Sequence, residues 1–194
     1  MAVSVSAAIV AGGRSRRMGR DKAWIAFDGR PLVARVADVL GSVADEVLVV
    51  ANDARFETLG LRVVPDRYPS GGALGGIATG VGAATSDVVL VAACDMPFLR
   101  PDMWRLLLDR SGDADVVIPR VGAEYETLHA LYTTACLRPM ERALEGGRLR
   151  VVSFFDDVRL RTIEEDELRM VDPELRCFTN VNTPEELATA LAGR

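Results

Sequence analysis

The sequence predicts an α/β fold with a mostly parallel central sheet, and three observations support that prediction. Short runs rich in β-branched residues alternate with helical stretches between Val3 and about Ala92. Each of these runs ends in glycine or polar residues, as strands do where a connection follows. The runs are also too apolar for strands at a solvated edge, so we expect them inside the sheet.

The strands and helices can be assigned in chain order from this pattern. Apolar runs predict strands at Val5–Val10, Glu46–Ala51, Arg62–Val64, Asp87–Ala92 and Asp115–Pro119. The crossover helices are predicted at Pro31–Leu40, where proline suits the first turn, and at Leu74–Ala84 and Pro101–Arg110. The less regular second half predicts a strand at Thr127–Tyr132, a helix at Ala135–Glu145 and a short strand near Leu160–Ile163.

A clear helix start lies near the end of the chain. Thr183, Pro184 and Glu186 combine an N-cap residue, a proline at the first helical position and a glutamate three residues after the cap. A last helix is therefore predicted to run to about Leu191. No repeat, low-complexity tract or linker interrupts the 194 residues, so we expect one domain, 1–194.

Composition and charge exclude several classes of protein. No stretch approaches the ~18 consecutive apolar residues of a membrane span, and the apolar N-terminus leads into a glycine-rich loop rather than a cleavage site. The formal net charge of -5 gives no general attraction to nucleic acid or anionic lipid. Three widely separated cysteines predict neither a zinc site nor a disulfide framework. We therefore expect a cytoplasmic protein in which any phosphate binding is local.

The loop after the first strand is rich in glycine and arginine. It reads Ala11-Gly-Gly-Arg-Ser-Arg-Arg-Met-Gly-Arg-Asp-Lys22, and open α/β sheets bind ligands outside the carboxyl ends of their strands. Gly12 and Gly13 let backbone N–H groups approach an anion, and Arg16 is one of several arginines that concentrate positive charge near Lys22. The spacing matches neither GxxxxGKS/T nor GxGxxG. The loop predicts polyphosphate binding, with a solvated surface loop as the alternative.

Polar residues after two other predicted strands point to the same edge. Asp95 follows the strand Asp87–Ala92 and precedes Pro97, a position that suits either a Mg²⁺ ligand or a turn. Asp66 follows the strand Arg62–Val64 and could reach the same crevice or start a turn. The segment Ser70-Gly-Gly-Ala-Leu-Gly-Gly76 predicts close backbone approach to a ligand, or a glycine-rich loop without one.

These motifs, in this order, resemble the molybdenum cofactor guanylyltransferases over nearly the whole chain. The matching segments are the loop 11–22, Gly-Ala-Leu-Gly-Gly-Ile at 72–77, Cys94-Asp-Met-Pro97, Leu128-His-Ala-Leu-Tyr132 and Phe178-Thr-Asn-Val-Asn-Thr-Pro-Glu-Glu-Leu187. The resemblance implies a three-layer α/β/α, Rossmann-like sheet of the nucleotide-diphospho-sugar transferase type. Where the family usually has proline, this chain has Ala73 and Thr127, which leaves the local turns less fixed.

The resemblance also implies site residues and partners. It implies GTP contacts at Val10, Ala11, Gly12, Gly13, Lys22, Asn52, Asp66, Gly75 and Asp95. Lys22, Asp95 and Arg16 are expected to be catalytic, with Asp95 also binding Mg²⁺. Asn180 and Asn182 match asparagines on the pterin side of the crevice, with helix capping as the alternative role. The implied partners are GTP, the molybdopterin cofactor, and molybdoenzymes or their chaperones.

The implied reaction transfers GMP from GTP to molybdopterin and releases pyrophosphate. A phosphate monoester is already a nucleophile at neutral pH, so no general base is required. His129, the only histidine, is accordingly expected to be structural within an apolar strand. Three alternatives remain open: a cytidylyltransferase acting on the same pterin, a nucleotidyltransferase for a sugar or isoprenoid phosphate, and a carrier of the finished cofactor without catalytic activity.

Overall fold

The computed structural model describes residues 4–11, 22–27 and 29–192, and its centre is an eight-stranded mixed sheet. The strands of this sheet are β1 (Val5–Val10), β4 (Glu46–Val50), β5 (Arg62–Val64), β6 (Val88–Ala93), β7 (Val116–Val121), β8 (Glu124–Tyr125), β9 (His129–Thr133) and β10 (Leu160–Ile163). A separate antiparallel ribbon is formed by β2 (Ala26–Phe27) and β3 (Arg30–Pro31). The helices are α1 (Leu32–Gly41), α2 (Gly72–Ala83), α3 (Pro101–Asp109), α4 (Leu137–Glu145), α5 (Glu165–Val171) and α6 (Pro184–Ala192).

The strand order is β10-β7-β9-β6-β1-β4-β5, with β8 paired to β7. Strands β6, β1, β4 and β5 are parallel neighbours, and β10 is parallel to β7. Strand β9 runs antiparallel to both β6 and β7. The expected mostly parallel sheet is therefore confirmed, with two reversed strands: β9 near its middle and the two-residue β8 beside β7.

Successive side chains of a strand point to opposite faces of the sheet. Both faces are apolar here, and helices cover both of them. Ala7 and Ile9 of β1 belong to a core that includes residues of α1, α3 and α5, whereas Ala8 and Val10 belong to a second core with residues of α2 and α4. All of β1 is buried. This confirms the three-layer α/β/α architecture.

One expectation about the strands was wrong. Residues Arg62–Val64 were expected inside the sheet, yet β5 is its edge strand, with Arg62 exposed and Val63 and Val64 half-buried. The strand has only three residues, and the Arg62 guanidinium pairs with Glu46 on β4 at 2.5 Å. A short strand carrying a charged residue is a common way to protect a sheet edge from further pairing.

Candidate active site

The carboxyl ends of four parallel strands meet at one edge of the sheet. Val10 of β1 is in register with Val50 of β4 and Ala93 of β6, and Val50 is in register with Val64 of β5. The residues that follow these strands therefore leave the sheet side by side. Ala11, Asn52, Asp66 and Asp95, four of the predicted site residues, lie at this edge. The strand-end placement inferred from the sequence is the placement that the fold produces.

Lys22 and Asp95 form an ion pair at this edge. Lys22 begins a short 3₁₀ turn, Lys22–Trp24, and its Nζ lies 3.7 Å from Oδ2 of Asp95. The Asp95 side chain is only 15% exposed, and burial raises its pKa while the Lys22 ammonium opposes that rise. The pair joins a cation able to bind phosphate to a carboxylate able to bind a metal.

The C-terminal segment closes over this pair. The backbone N–H of Val181 donates to the carbonyl oxygen of Asp95 at 2.9 Å, and the Lys22 ammonium donates to Oδ1 of Asn182. Asn182, expected on the pterin side, thus contacts the lysine expected to hold the nucleotide phosphates. Asn180 lines a neighbouring depression of about 450 Å³, which is formed by residues 179–181 and the α6 residues Glu185, Glu186 and Thr189.

Asn52 and Asp66 are joined by a hydrogen bond. The backbone N–H of Asp66 donates to Oδ1 of Asn52 at 3.0 Å. Oδ1 of Asp66 in turn accepts from the backbone N–H of Tyr68 at 2.9 Å and from Oγ1 of Thr79 at 3.2 Å. Asp66 therefore stabilises a turn, which was its alternative role. Nucleotide binding by Asn52 and Asp66 stays a prediction. Asn52 is exposed and Asp66 is half-buried, and each lies two residues beyond the register pair Val50–Val64.

Gly75 is buried near the start of α2, where the helix packs tightly on its surroundings. A Cβ atom at Gly75 would lie 2.5 Å from the carbonyl oxygen of Tyr68, and one at Gly76 would lie 2.6 Å from Cγ1 of Val10. The glycines do serve close approach, as the sequence suggested, but the atoms approached belong to the protein itself. Contact between Gly75 and a nucleotide remains a prediction.

Three predicted site residues, Gly12, Gly13 and Arg16, lie outside the described residues. The remaining members of the set are described.

His129, which is not one of the predicted site residues, agrees with its expected structural role. Its ring stacks on Trp104, with centroids 4.1 Å apart, and burial lowers its pKa to about 3. A neutral, fully buried imidazole is unsuited to exchanging protons with a substrate.

The donor groups fit Mg²⁺ only together with a substrate. Among residues 4–11, 22–27 and 29–192, no group of three histidine, cysteine, aspartate or glutamate side chains could hold a metal ion by itself. Mg²⁺ usually takes one or two carboxylates and completes its shell with water and phosphate oxygens. Asp95 supplies one such carboxylate beside the predicted phosphate site.

Sequence reasoning missed one polar residue at this site. Glu186 accepts hydrogen bonds from both the backbone and the side-chain nitrogen of Asn182. The available signal was the pattern Thr183-Pro184-Glu185-Glu186, which predicted a helix start and formed part of the matching segment 178–187.

The fold is that of the nucleotidyltransferases, and the Lys22–Asp95 pair lies at the carboxyl edge of its parallel strands. Residues 7–160 match the model of the MobA-like NTP transferase domain, and the chain belongs to this family.

Named relatives and a solved structure support this assignment over nearly the full chain. The chain is 39% identical over 183 residues to the probable molybdenum cofactor guanylyltransferase of Pelotomaculum thermopropionicum, covering 94% of this chain and 89% of the relative. It is 39% identical over 193 residues to the molybdenum cofactor guanylyltransferase of Desulfosudis oleivorans, covering 97% and 95%. The crystal structure of molybdopterin-guanine dinucleotide biosynthesis protein A from Archaeoglobus fulgidus is similar with a TM-score of 0.80 at 26% identity, covering 95% and 96%.

Proposed function

We propose that this protein transfers GMP from GTP to the molybdopterin cofactor, forming molybdopterin guanine dinucleotide and pyrophosphate. The relatives that bear the name guanylyltransferase match almost all of the chain. The observation that carries the proposal is the Lys22–Asp95 pair at the carboxyl edge of β1 and β6. A phosphate-binding cation and a metal-binding carboxylate at one point are what transfer between two anions requires.

The reaction follows from the charges at the site. An oxygen of the pterin's terminal phosphate forms a bond to the α-phosphorus of GTP, and the bond from that phosphorus to the α–β bridging oxygen breaks, so that pyrophosphate leaves. Lys22 and Arg16 would bind the nucleotide phosphates and offset the repulsion between the two anions. Asp95 would hold Mg²⁺, which supplies further neutralisation of phosphate charge when bound.

The remaining predicted residues would divide between the two substrates. Val10, Ala11 and Gly12 would contact the guanine end of GTP, with Gly13, Asn52, Asp66 and Gly75 completing the nucleotide site. Asn180 and Asn182 would face the pterin, and the depression lined by Asn180 supports a second binding region beside the Lys22–Asp95 pair. The assignment of these seven nucleotide contacts and two pterin contacts is part of the proposal.

A cytoplasmic location also belongs to the proposal. Cys94, Cys136 and Cys177 are not joined in disulfide bonds, which is usual in a reducing compartment. Within the described residues, no helix combines the length and the apolar character that a membrane span needs.

The direct test separates an enzyme from a carrier of the finished cofactor. The protein is mixed with GTP, Mg²⁺ and molybdopterin cofactor, and the products are identified by mass spectrometry. The proposal predicts a pterin product that has gained one GMP and a matching amount of pyrophosphate. Binding of the cofactor without any gain of mass would contradict catalysis and favour the carrier.

A further inference from the structure

Glu186 makes two sets of contacts at the start of α6, one with Thr183 and one with Asn182. The Thr183 hydroxyl accepts from the backbone N–H of Glu186 at 3.1 Å, which is one half of a capping box. The Glu186 carboxylate also accepts from the backbone N–H of Thr183, which is the other half of the motif. Beyond the capping box, Oε2 of Glu186 accepts from the backbone N–H of Asn182 at 2.6 Å and from Nδ2 of Asn182 at 3.0 Å.

These contacts fix which end of the Asn182 amide faces the active site. A primary amide presents a carbonyl acceptor at one end and an NH₂ donor at the other. Because the NH₂ group of Asn182 is bound to Glu186, its Oδ1 is turned toward Lys22 and accepts from the ammonium. The reversed amide would place NH₂ against the Lys22 ammonium and a carbonyl oxygen against the Glu186 carboxylate, and both contacts would be repulsive.

Three successive contacts link Glu186 to the Lys22–Asp95 pair. Glu186 binds Asn182, Asn182 binds Lys22, and the Lys22 ammonium lies 3.7 Å from Asp95. A lysine has a flexible four-carbon stem, so its charge needs such a partner to stay in one place. Building on the function proposed above, we propose that Glu186 is a positioning residue that orients the Asn182 amide and thereby holds Lys22 beside Asp95.

The first test compares two substitutions of Glu186 in the guanylyl transfer assay. Glu186→Ala removes the acceptor, and we expect kcat to fall roughly tenfold or more because small displacements of catalytic groups are costly. Glu186→Gln keeps a carbonyl oxygen that can accept both bonds, so it should retain most of the activity. We expect the KM for GTP to change less than kcat, since Lys22 acts most strongly on charge that develops in the transition state. A wild-type kcat in Glu186→Ala would overturn the proposal.

Thr183→Ala is the matched control at the same helix start. It removes the cap of α6 but leaves the contacts of Glu186 with Asn182 in place. We expect a thermal midpoint lowered by about a few degrees with kcat near that of the wild type. An equal loss of kcat in Thr183→Ala and Glu186→Ala would mean that Glu186 acts only by stabilising α6, and the positioning role would be wrong.

A double-mutant cycle tests whether Glu186 acts through Asn182. Asn182→Ala removes the amide, so adding Glu186→Ala to it should cause little further loss of kcat. Losses that multiply in the double variant would show that the two residues act independently and would overturn the proposal.

An NMR measurement separates this proposal from the proposed function. The ¹H–¹⁵N signals of the Asn182 side-chain amide should shift in Glu186→Ala and stay in place in Thr183→Ala, whatever reaction the protein catalyses. Unchanged Asn182 signals in Glu186→Ala would overturn the role of Glu186. Wild-type protein that transfers no guanylyl group would contradict the proposed function alone, and the NMR result would still decide the orientation of the amide.

Discussion

At the scale of single residues, Asp95 balances two opposing effects. Burial disfavours its charged form and raises its pKa, whereas Lys22 at 3.7 Å favours the charged form. The charged form of Asp95 is therefore stabilised by a neighbouring cation and destabilised when no cation is near. A bound metal ion would neutralise the charge of Asp95, and a bound phosphate would neutralise that of Lys22. For this reason we propose Asp95 as the metal ligand.

Replacing Asp95 tests this role. Asp95→Asn keeps the shape of the side chain but removes the charge that a hard cation needs, so we expect Mg²⁺-dependent turnover to fall on the order of 10²-fold or more. Thermal unfolding should show that the variant remains folded. Asp102→Asn is the control, because Asp102 is an exposed carboxylate on α3 that pairs only at the surface with Arg105. Asp95→Asn protein with undiminished turnover would remove Asp95 from the site.

The ionisation of Glu46 should make the free energy of unfolding depend on pH. Burial alone would raise its pKa, but hydrogen bonds from Thr85, Ser6 and Arg62 lower it from 4.5 to about 2. The folded protein therefore gains stability from the ionised carboxylate above the unfolded value of 4.5, and loses that gain as the pH falls toward about 2.

Glu46→Gln should remove this dependence. We expect the free energy of unfolding at pH 7 to fall by about 2 kcal/mol, since water at the surface screens part of the interaction. Between pH 4.5 and about 2 the unfolding free energy of the variant should vary less than that of the wild type. Urea titrations across this range give the comparison, and parallel curves for the two proteins would show that Glu46 does not supply the effect.

At the scale of elements, α2 illustrates how glycine sets the distance between a helix and its neighbours. Gly75→Ala would bring a Cβ to 2.5 Å from a backbone oxygen that cannot move away easily, so we expect a loss of about 2 kcal/mol in unfolding free energy.

Gly82→Ala in the same helix is the matched comparison. Its Cβ would lie 3.4 Å from the nearest atom of Leu137, an ordinary contact, and alanine favours the helix by roughly 0.5–1 kcal/mol. Chemical denaturation should thus show opposite signs for the two variants. Equal effects at the two positions would contradict the packing described here.

The longer elements could be predicted from the sequence because their apolar patterns are strong. The strands and helices that were predicted end within two residues of those observed, as with α3 at Pro101–Asp109 against Pro101–Arg110. The short helix α5 was missed because only Leu168 of its seven residues is buried, which leaves no apolar periodicity. Its acidic first turn and Arg169 near its end were the available signal.

At the scale of the whole molecule, the position of the site could be predicted, but the hydrogen bonds between its residues could not. Parallel strands deliver their following residues to one edge, so Ala11 and Asp95 could be placed together from strand ends alone. The contact between Lys22 and Asn182 joins residues 160 positions apart and depends on how the C-terminal segment folds back. No local pattern reports such a contact. The contact of Glu186 with Asn182 is local, but the helix-start pattern that contains Glu186 does not by itself indicate it.

For the molecule as a whole, we propose one reaction at a single edge of the sheet, where GTP reacts with the phosphate of a pterin. Its most direct measurement is pyrophosphate release from GTP, CTP, ATP and UTP, each with Mg²⁺ and with or without molybdopterin cofactor. We expect release from GTP, and only when the cofactor is present. Preference for CTP would instead make the protein a cytidylyltransferase, and no release from any of the four nucleotides would contradict the proposed function.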